Sequence, residues 1–240
     1  MPAIWIIAKR EINSFFDSLM AYILIVVFLG LSGFFTWLYG NDIFLRGQAS
    51  LDAFFGISFW SLFFFIPAIT MKTLAEENKT GTIELLITKS VSDWQIVTGK
   101  FLACLVLVAI ALVCTLPYYV TVSKLGNIDH ASVWGGYFAM ILMSASYISI
   151  GLFTSSTTNN QIISFLLALF IGLFFQILFD VISNNMTGTT GAVFDYLSLR
   201  NHFDSISRGV IDSKDLIYFF SLITGGLILS EAMLSKRNWK

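Results

Sequence analysis

Phe101-Leu-Ala-Cys-Leu-Val-Leu-Val-Ala-Ile-Ala-Leu-Val-Cys-Thr-Leu-Pro-Tyr-Tyr-Val-Thr-Val122 carries no charged side chain from end to end. A helix needs about 20 such residues to cross ~30 Å of hydrocarbon, so the stretch reads as a membrane span. Similar apolar stretches run over Leu19–Tyr39, Ala53–Met71, Val133–Phe153, Ile162–Phe179 and Leu216–Ser235. Asp180 stands against the end of the fifth span, and Glu231 lies near the end of the sixth. Alternating strand patterns are absent, which excludes a transmembrane barrel.

Composition agrees with the spans. Of 240 residues, 56% are hydrophobic and 12% charged, and 24 are Phe; soluble chains carry about 25% charge. A net charge of -1 gives no field that would attract nucleic acid. Cys104 and Cys114 fall on one helix about 15 Å apart, too far for a disulfide with each other. The first span is too long for a signal-peptide core and lacks a clear cleavage site, so it is expected to stay. With the N-terminus inside, nine Lys and Arg fall in inner segments and five in outer ones, following the positive-inside rule. Both termini are therefore expected in the cytoplasm.

Three segments outside the spans have their own character. Residues 2–18 place Ile4, Ala8, Ile12, Phe15 and Leu19 on one side of a helix, with Lys9, Arg10, Glu11, Asn13 and Asp17 over much of the rest. This pattern predicts an amphipathic helix lying at the inner interface. The outer loop 182–215 opens with turn chemistry, Ser183 to Gly191, and continues as one or two short interfacial helices anchored by Phe194, Tyr196, Leu197, Leu199 and Phe203. The inner loop 72–100 is the most informative. Gly81 is a natural break, Thr82 caps a short helix from Ile83 to about Lys89, and Glu84 and Lys89 suit its dipole. Ser92 and Gln95 form a capping box for a second helix running into the third span. Ile83, Leu86 and Ile87 then make an apolar face outside the membrane, which calls for a cytoplasmic partner.

Enzymatic chemistry finds no foothold. The chain has no Gly-x-x-x-x-Gly-Lys-Ser/Thr phosphate loop; Gly99-Lys100 has Trp94 in place of the first Gly and Phe101 after the Lys. Glu76-Glu77 is followed by Gly81 where a membrane glutamic protease would need Arg, and His130 and His202 fall on the outer side. No Gly-x-Ser-x-Gly elbow exists. Pro67 and Pro117 read as kinks in their spans. Gln176, one turn before Asp180, marks a possible polar site facing the bundle.

The pattern Glu76-Glu77-x-x-x-Gly81-Thr82-x-Glu84-Leu85-Leu86, followed by Val91-Ser92, Trp94 and Gly99-Lys100, resembles the permease family of type-2 ABC exporters. The outer run Leu197-Ser-Leu-Arg-Asn-His202-Phe203, with Arg208-Gly209, Asp212, Asp215 and Tyr218-Phe219, is similar to the gliding-motility ABC permease of Bacteroidetes-type bacteria. The permease for nitrous-oxide-reductase maturation has a similar run. The resemblance covers essentially the whole chain. It implies one all-α domain over 1–240, with six transmembrane helices, an interfacial helix at 2–18, a cytoplasmic coupling helix in 72–100 and an extracytoplasmic loop at 182–215. It implies no catalysis and no cofactor in this chain, with ATP and Mg held by a separate ATPase subunit in two copies. Glu76, Glu77, Gly81, Thr82, Ile83, Glu84, Leu85 and Leu86 are the implied coupling residues. A second copy, or a related membrane subunit with an extracytoplasmic domain, completes the expected assembly in a bacterial inner membrane. Outside the resemblance, the residues also fit a membrane scaffold that anchors a surface machine, or a secondary transporter.

Overall fold

A computed structural model describes residues 3–39, 47–81 and 91–236. All regular structure among them is helical. Six helical segments are long and apolar enough to span a membrane: Leu19–Trp37, Asp52–Thr80, Asp93–Leu125, His130–Thr157, Gln161–Asn185 and Ser213–Ser235. They coincide with the six expected spans, and the protein is a multi-pass membrane protein.

In chain order the helices are α1 (Ala3–Asp17), α2 (Leu19–Trp37), α3 (Asp52–Thr70), α4 (Ala75–Thr80), α5 (Asp93–Val113) and α6 (Leu116–Leu125). Then follow α7 (His130–Thr157), α8 (Gln161–Leu173), a π-helical turn (Phe174–Leu178), α9 (Phe179–Asn185), α10 (Thr189–Leu197), α11 (Leu199–Ser207) and α12 (Ser213–Ser235). Their ends follow local chemistry. Ser92 and Gln95 make the reciprocal capping box of α5, at 3.3 and 3.2 Å. Asp129 and Asn160 cap α7 and α8 through their side-chain oxygens. Gly81 closes α4 in the left-handed conformation, with φ +70°, as a glycine readily does.

The middle of the bundle is α7, which packs against α3, α5, α8, α11 and α12. Lipid is as apolar as leucine, so helices associate through close packing over small side chains. Ser144, Ser146, Ser149 and Gly151 of α7 are buried, and a Cβ on Gly226 of α12 would stand 2.5 Å from the Ser149 hydroxyl oxygen. Spans two, three and four are mostly covered, while one, five and six are covered over 22% each. Their uncovered faces are apolar, as with Val26 and Leu31 of α2 and Leu166 and Phe170 of α8.

The third span is broken. α5 ends at Val113 and α6 starts at Leu116, with Pro117 in its first turn. Proline lacks an N–H and suits a helix start, so Pro117 marks a restart. Thr115 bridges the break: its hydroxyl reaches the Leu112 carbonyl at 2.6 Å and the Tyr137 hydroxyl at 3.0 Å. Pro67, by contrast, stays inside a continuous α3.

Two expectations about the flanking segments change in detail. The helix at residues 2–18 forms as α1, but it docks on the start of α5, burying Ile7, Ala8 and Phe15, while Leu19 is exposed. Gly99 admits the close approach, since a Cβ there would lie 2.8 Å from Ile7 Cγ2. In the loop 182–215, Leu199 and Phe203 are buried against the bundle rather than standing as interfacial anchors. Phe203 meets Phe59 with ring centroids 4.8 Å apart.

Candidate functional site

Two polar constructions lie at opposite ends of the bundle, here called the Lys100 face and the His202 face. At the Lys100 face the second span ends in a turn, and α4 begins beside the end of α7. Ser155 of α7 accepts from the backbone N–H groups of Leu74 and Ala75 at 3.1 and 2.9 Å, and donates to the Met71 carbonyl at 3.2 Å. It thus satisfies two donors that a helix start leaves without intrahelical partners.

Lys100, in the second turn of α5, is 1% exposed. Its Nζ donates to the Thr73 carbonyl at 2.6 Å and pairs with Glu11 Oε1 at 3.1 Å and Glu77 Oε1 at 2.9 Å. Arg10 joins from the exposed side, with Nη2 at 2.8 Å from Glu11 and 3.1 Å from Glu77. One buried ammonium therefore ties together α1, α4 and α5. Such a charge is tolerable inside a protein only when its donors are used, and each of the three Nζ donors meets an oxygen. Burial pushes the Glu11 carboxyl up, but Lys100 and Arg10 outweigh it and hold it below the usual carboxylate range. Burial likewise draws the Arg10 guanidinium down, and its bonds to Glu11 and Glu77 more than reverse that. Beside this cluster a cavity of about 530 Å³ is lined by residues that include Lys72, Glu76 and Glu77.

Of the residues implied in coupling, Glu77 sits in the cluster, Glu76 is exposed on α4, and Gly81 ends that helix. Thr82, Ile83, Glu84, Leu85 and Leu86, with the short helix expected over them, lie outside the described residues. Gln176 occupies the π-helical turn, where it is 1% exposed and accepts a hydrogen bond from the Tyr147 hydroxyl. Asp180 stands one turn beyond, partly exposed, with Oδ1 accepting from Asn184 at 3.2 Å. The two do not form a single site.

At the His202 face, α10, α11 and the start of α12 fold over the bundle. Asp215 is fully buried, and its Oδ1 lies 2.6 Å from His202 Nδ1. His202 Nε2 lies 2.8 Å from the Tyr196 carbonyl, which can only accept, so Nε2 carries a proton. Tyr218 stacks on the imidazole at 4.0 Å and donates to the Leu197 carbonyl at 2.7 Å.

Neither end was fully visible in the chain. Lys100 reads as an inner-side lysine at the end of the inner-loop pattern, with no sign of its burial or partners, and Ser155 as part of a polar turn. Only the folded bundle brings Glu11 and Lys100 together, 89 positions apart. One signal was available for the His202–Asp215 pair: both lie in the run Leu197–Phe219 that carries the outer resemblance.

Six spans around a small-residue core, with a charged helical knot at one face and a helical cap at the other, define a polytopic membrane subunit without a described catalytic constellation. The family model for ABC-2 family transporter protein matches residues 38–208. The chain belongs to that family and is a permease subunit of an ABC transporter. Among curated proteins, none matches the chain.

Proposed function

We propose that this permease is driven by a separate ATP-hydrolysing subunit that docks on the Lys100 face. The observation that supports this reading is the buried Lys100 knot. Any push on the loop 72–100 meets α4, and α4 is fastened through Glu77 to α5 and α1 and through Ser155 to α7. A force applied at the loop therefore moves those elements together as a rigid body. In this reading both termini are cytoplasmic and the membrane is the bacterial inner membrane. Two ATPase copies bind ATP and Mg and press on Ile83 to Lys89 and on α1. A second copy of this chain, or a related membrane subunit with an extracytoplasmic domain, completes the assembly. The motion serves export or mechanical signalling across the membrane, and the sequence resemblance favours gliding motility as its setting.

The test uses the complex purified with its ATPase, carrying Gly81→Pro or Leu86→Asp. Proline cannot adopt the positive φ of residue 81, and an aspartate at 86 would interrupt the apolar face expected from Ile83, Leu86 and Ile87. The expected result is loss of ATPase stimulation by the permease. Full stimulation in an intact complex would remove the loop from the coupling role.

A further inference from the structure

Between α10, α11 and the start of α12, the His202 face holds a cavity of about 610 Å³. Its walls carry four carboxylates, Asp195, Asp204, Asp212 and Asp215, and two strong bases, Arg208 and Lys214. Several of these groups are already engaged. Asp195 Oδ1 accepts from Asn201 at 2.7 Å, and Asp212 caps α12 while pairing with Lys214 at 3.6 Å. Arg208 uses Nε on the Asp204 carbonyl at 3.0 Å.

Asp215 stands apart. Its side chain is 1% exposed, Oδ1 is taken by His202, and Oδ2 is buried with no hydrogen-bond partner among the described residues. A buried carboxylate oxygen left without a donor is costly, so Oδ2 is open to a donor that a bound molecule brings. Burial pushes the nearby Asp204 carboxyl up, Asp180 adds to that, and Arg200 and Arg208 do not cancel it. Acceptors in excess on one side and basic groups at the rim fit a small zwitterion, with an ammonium inward and an anion at Arg208 and Lys214. Val193, Tyr196, Val210 and Ile211, in the same helices and turns, are exposed and apolar or amphipathic, a composition that suits a membrane–water boundary.

We infer that this cavity binds a phosphoethanolamine group, its ammonium donating to the carboxylates around Asp204 and Asp215 and its phosphate meeting Arg208 and Lys214. The group can arrive on an aminophospholipid of the adjacent leaflet or as a free soluble molecule. The inference stands independently of the ATPase reading.

The experiment takes the full chain in detergent and follows binding by the change in thermal midpoint. The probes are dihexanoyl-phosphatidylethanolamine, dihexanoyl-phosphatidylcholine and free phosphoethanolamine. Phosphatidylcholine keeps the charge and phosphate but has no N–H to donate. Losing a charge-assisted hydrogen bond weakens binding by about tenfold or more, and this is the expected preference for the ethanolamine lipid. Asp204→Asn and Arg208→Gln alter exposed or half-exposed side chains. Each should leave the unliganded midpoint in place; Asp204→Asn should bring the ethanolamine lipid down to the choline lipid, while Arg208→Gln, which removes a phosphate contact common to both, should weaken the two lipids alike. Equal binding of the two lipids by the unaltered chain would overturn the proposal, as would an ethanolamine preference that Asp204→Asn retains in full or lipid binding that Arg208→Gln leaves unchanged. Binding of free phosphoethanolamine as tight as that of the lipid would assign the soluble source, and a requirement for acyl chains would assign the leaflet.

Discussion

Lys100 shows how much depends on one side chain in a mostly apolar molecule. Its ammonium is the buried group that pairs with both Glu11 and Glu77, while Arg10 bridges the same two carboxylates from the exposed side. Replacing Lys100 with Met leaves two carboxylates largely buried without their main counter-charge. Removal of one partner from a buried pair typically costs about 3–5 kcal/mol, and we expect a clearly lower thermal midpoint. A combined Lys100→Met, Glu11→Gln, Glu77→Gln chain should recover most of the loss, because no charge is then stranded. The pH dependence follows from Glu11, whose folded carboxyl lies below its ordinary value of 4.5. Its stabilising contribution is complete above that value and disappears as the pH falls through the lower folded one. Thermal midpoints measured downward from about pH 6, where an ordinary carboxylate is ionised, should fall less steeply in Lys100→Met. An unchanged acid slope would show that Glu11 does not depend on Lys100.

At the scale of elements, α1 is the piece whose setting the sequence shows least. The recurrence of Ile4, Ala8, Ile12 and Phe15 is enough to identify a helix with an apolar side. It cannot tell whether lipid or protein covers that side, since both are equally apolar. Gly99 decides the matter in the fold, for α1 sits where a side chain would otherwise be. Gly99→Val should therefore lift α1 from α5. With a cysteine placed at the buried Ile7, maleimide labelling should rise from slow to rapid, while the six-span core stays folded. The capping box at Ser92 and Gln95 was legible because all its determinants lie within four residues. Turns at Gly81 were legible for the same reason. The restart of the third span at Leu116 was not, because a proline in an apolar run predicts a disturbance without saying whether the helix bends or stops; Pro67 leaves α3 continuous and Pro117 opens a new helix.

For the whole molecule, the number and position of spans could be read from hydrophobic length alone, which is a property of contiguous residues. Which spans lie inside could not. The first, fifth and sixth spans are as apolar as the others, yet they are far less covered. What distinguishes the central α7 is small side chains such as Ser149 and Gly151, and their value appears only when α3 and α12 press against them. Orientation follows from charge and is open to direct measurement. Cysteines at the exposed positions Lys72 and Lys214 lie on opposite faces. In intact cells, a membrane-impermeant maleimide should label the cysteine at 214 and spare the one at 72 until the membrane is opened. The reverse pattern would invert the protein and move the proposed ATPase contact to the other side.

The knot around Lys100 also has a consequence for biogenesis. Glu11 leaves the ribosome 89 residues before Lys100, an interval of about 5–20 s at ordinary rates of synthesis. During that time the nascent chain has inserted its first spans while the carboxylates that will be buried wait in water. The face that joins α1, α4 and α5 can close only once Lys100 has emerged, so α1 and α4 wait for the start of the third span before their carboxylates are paired.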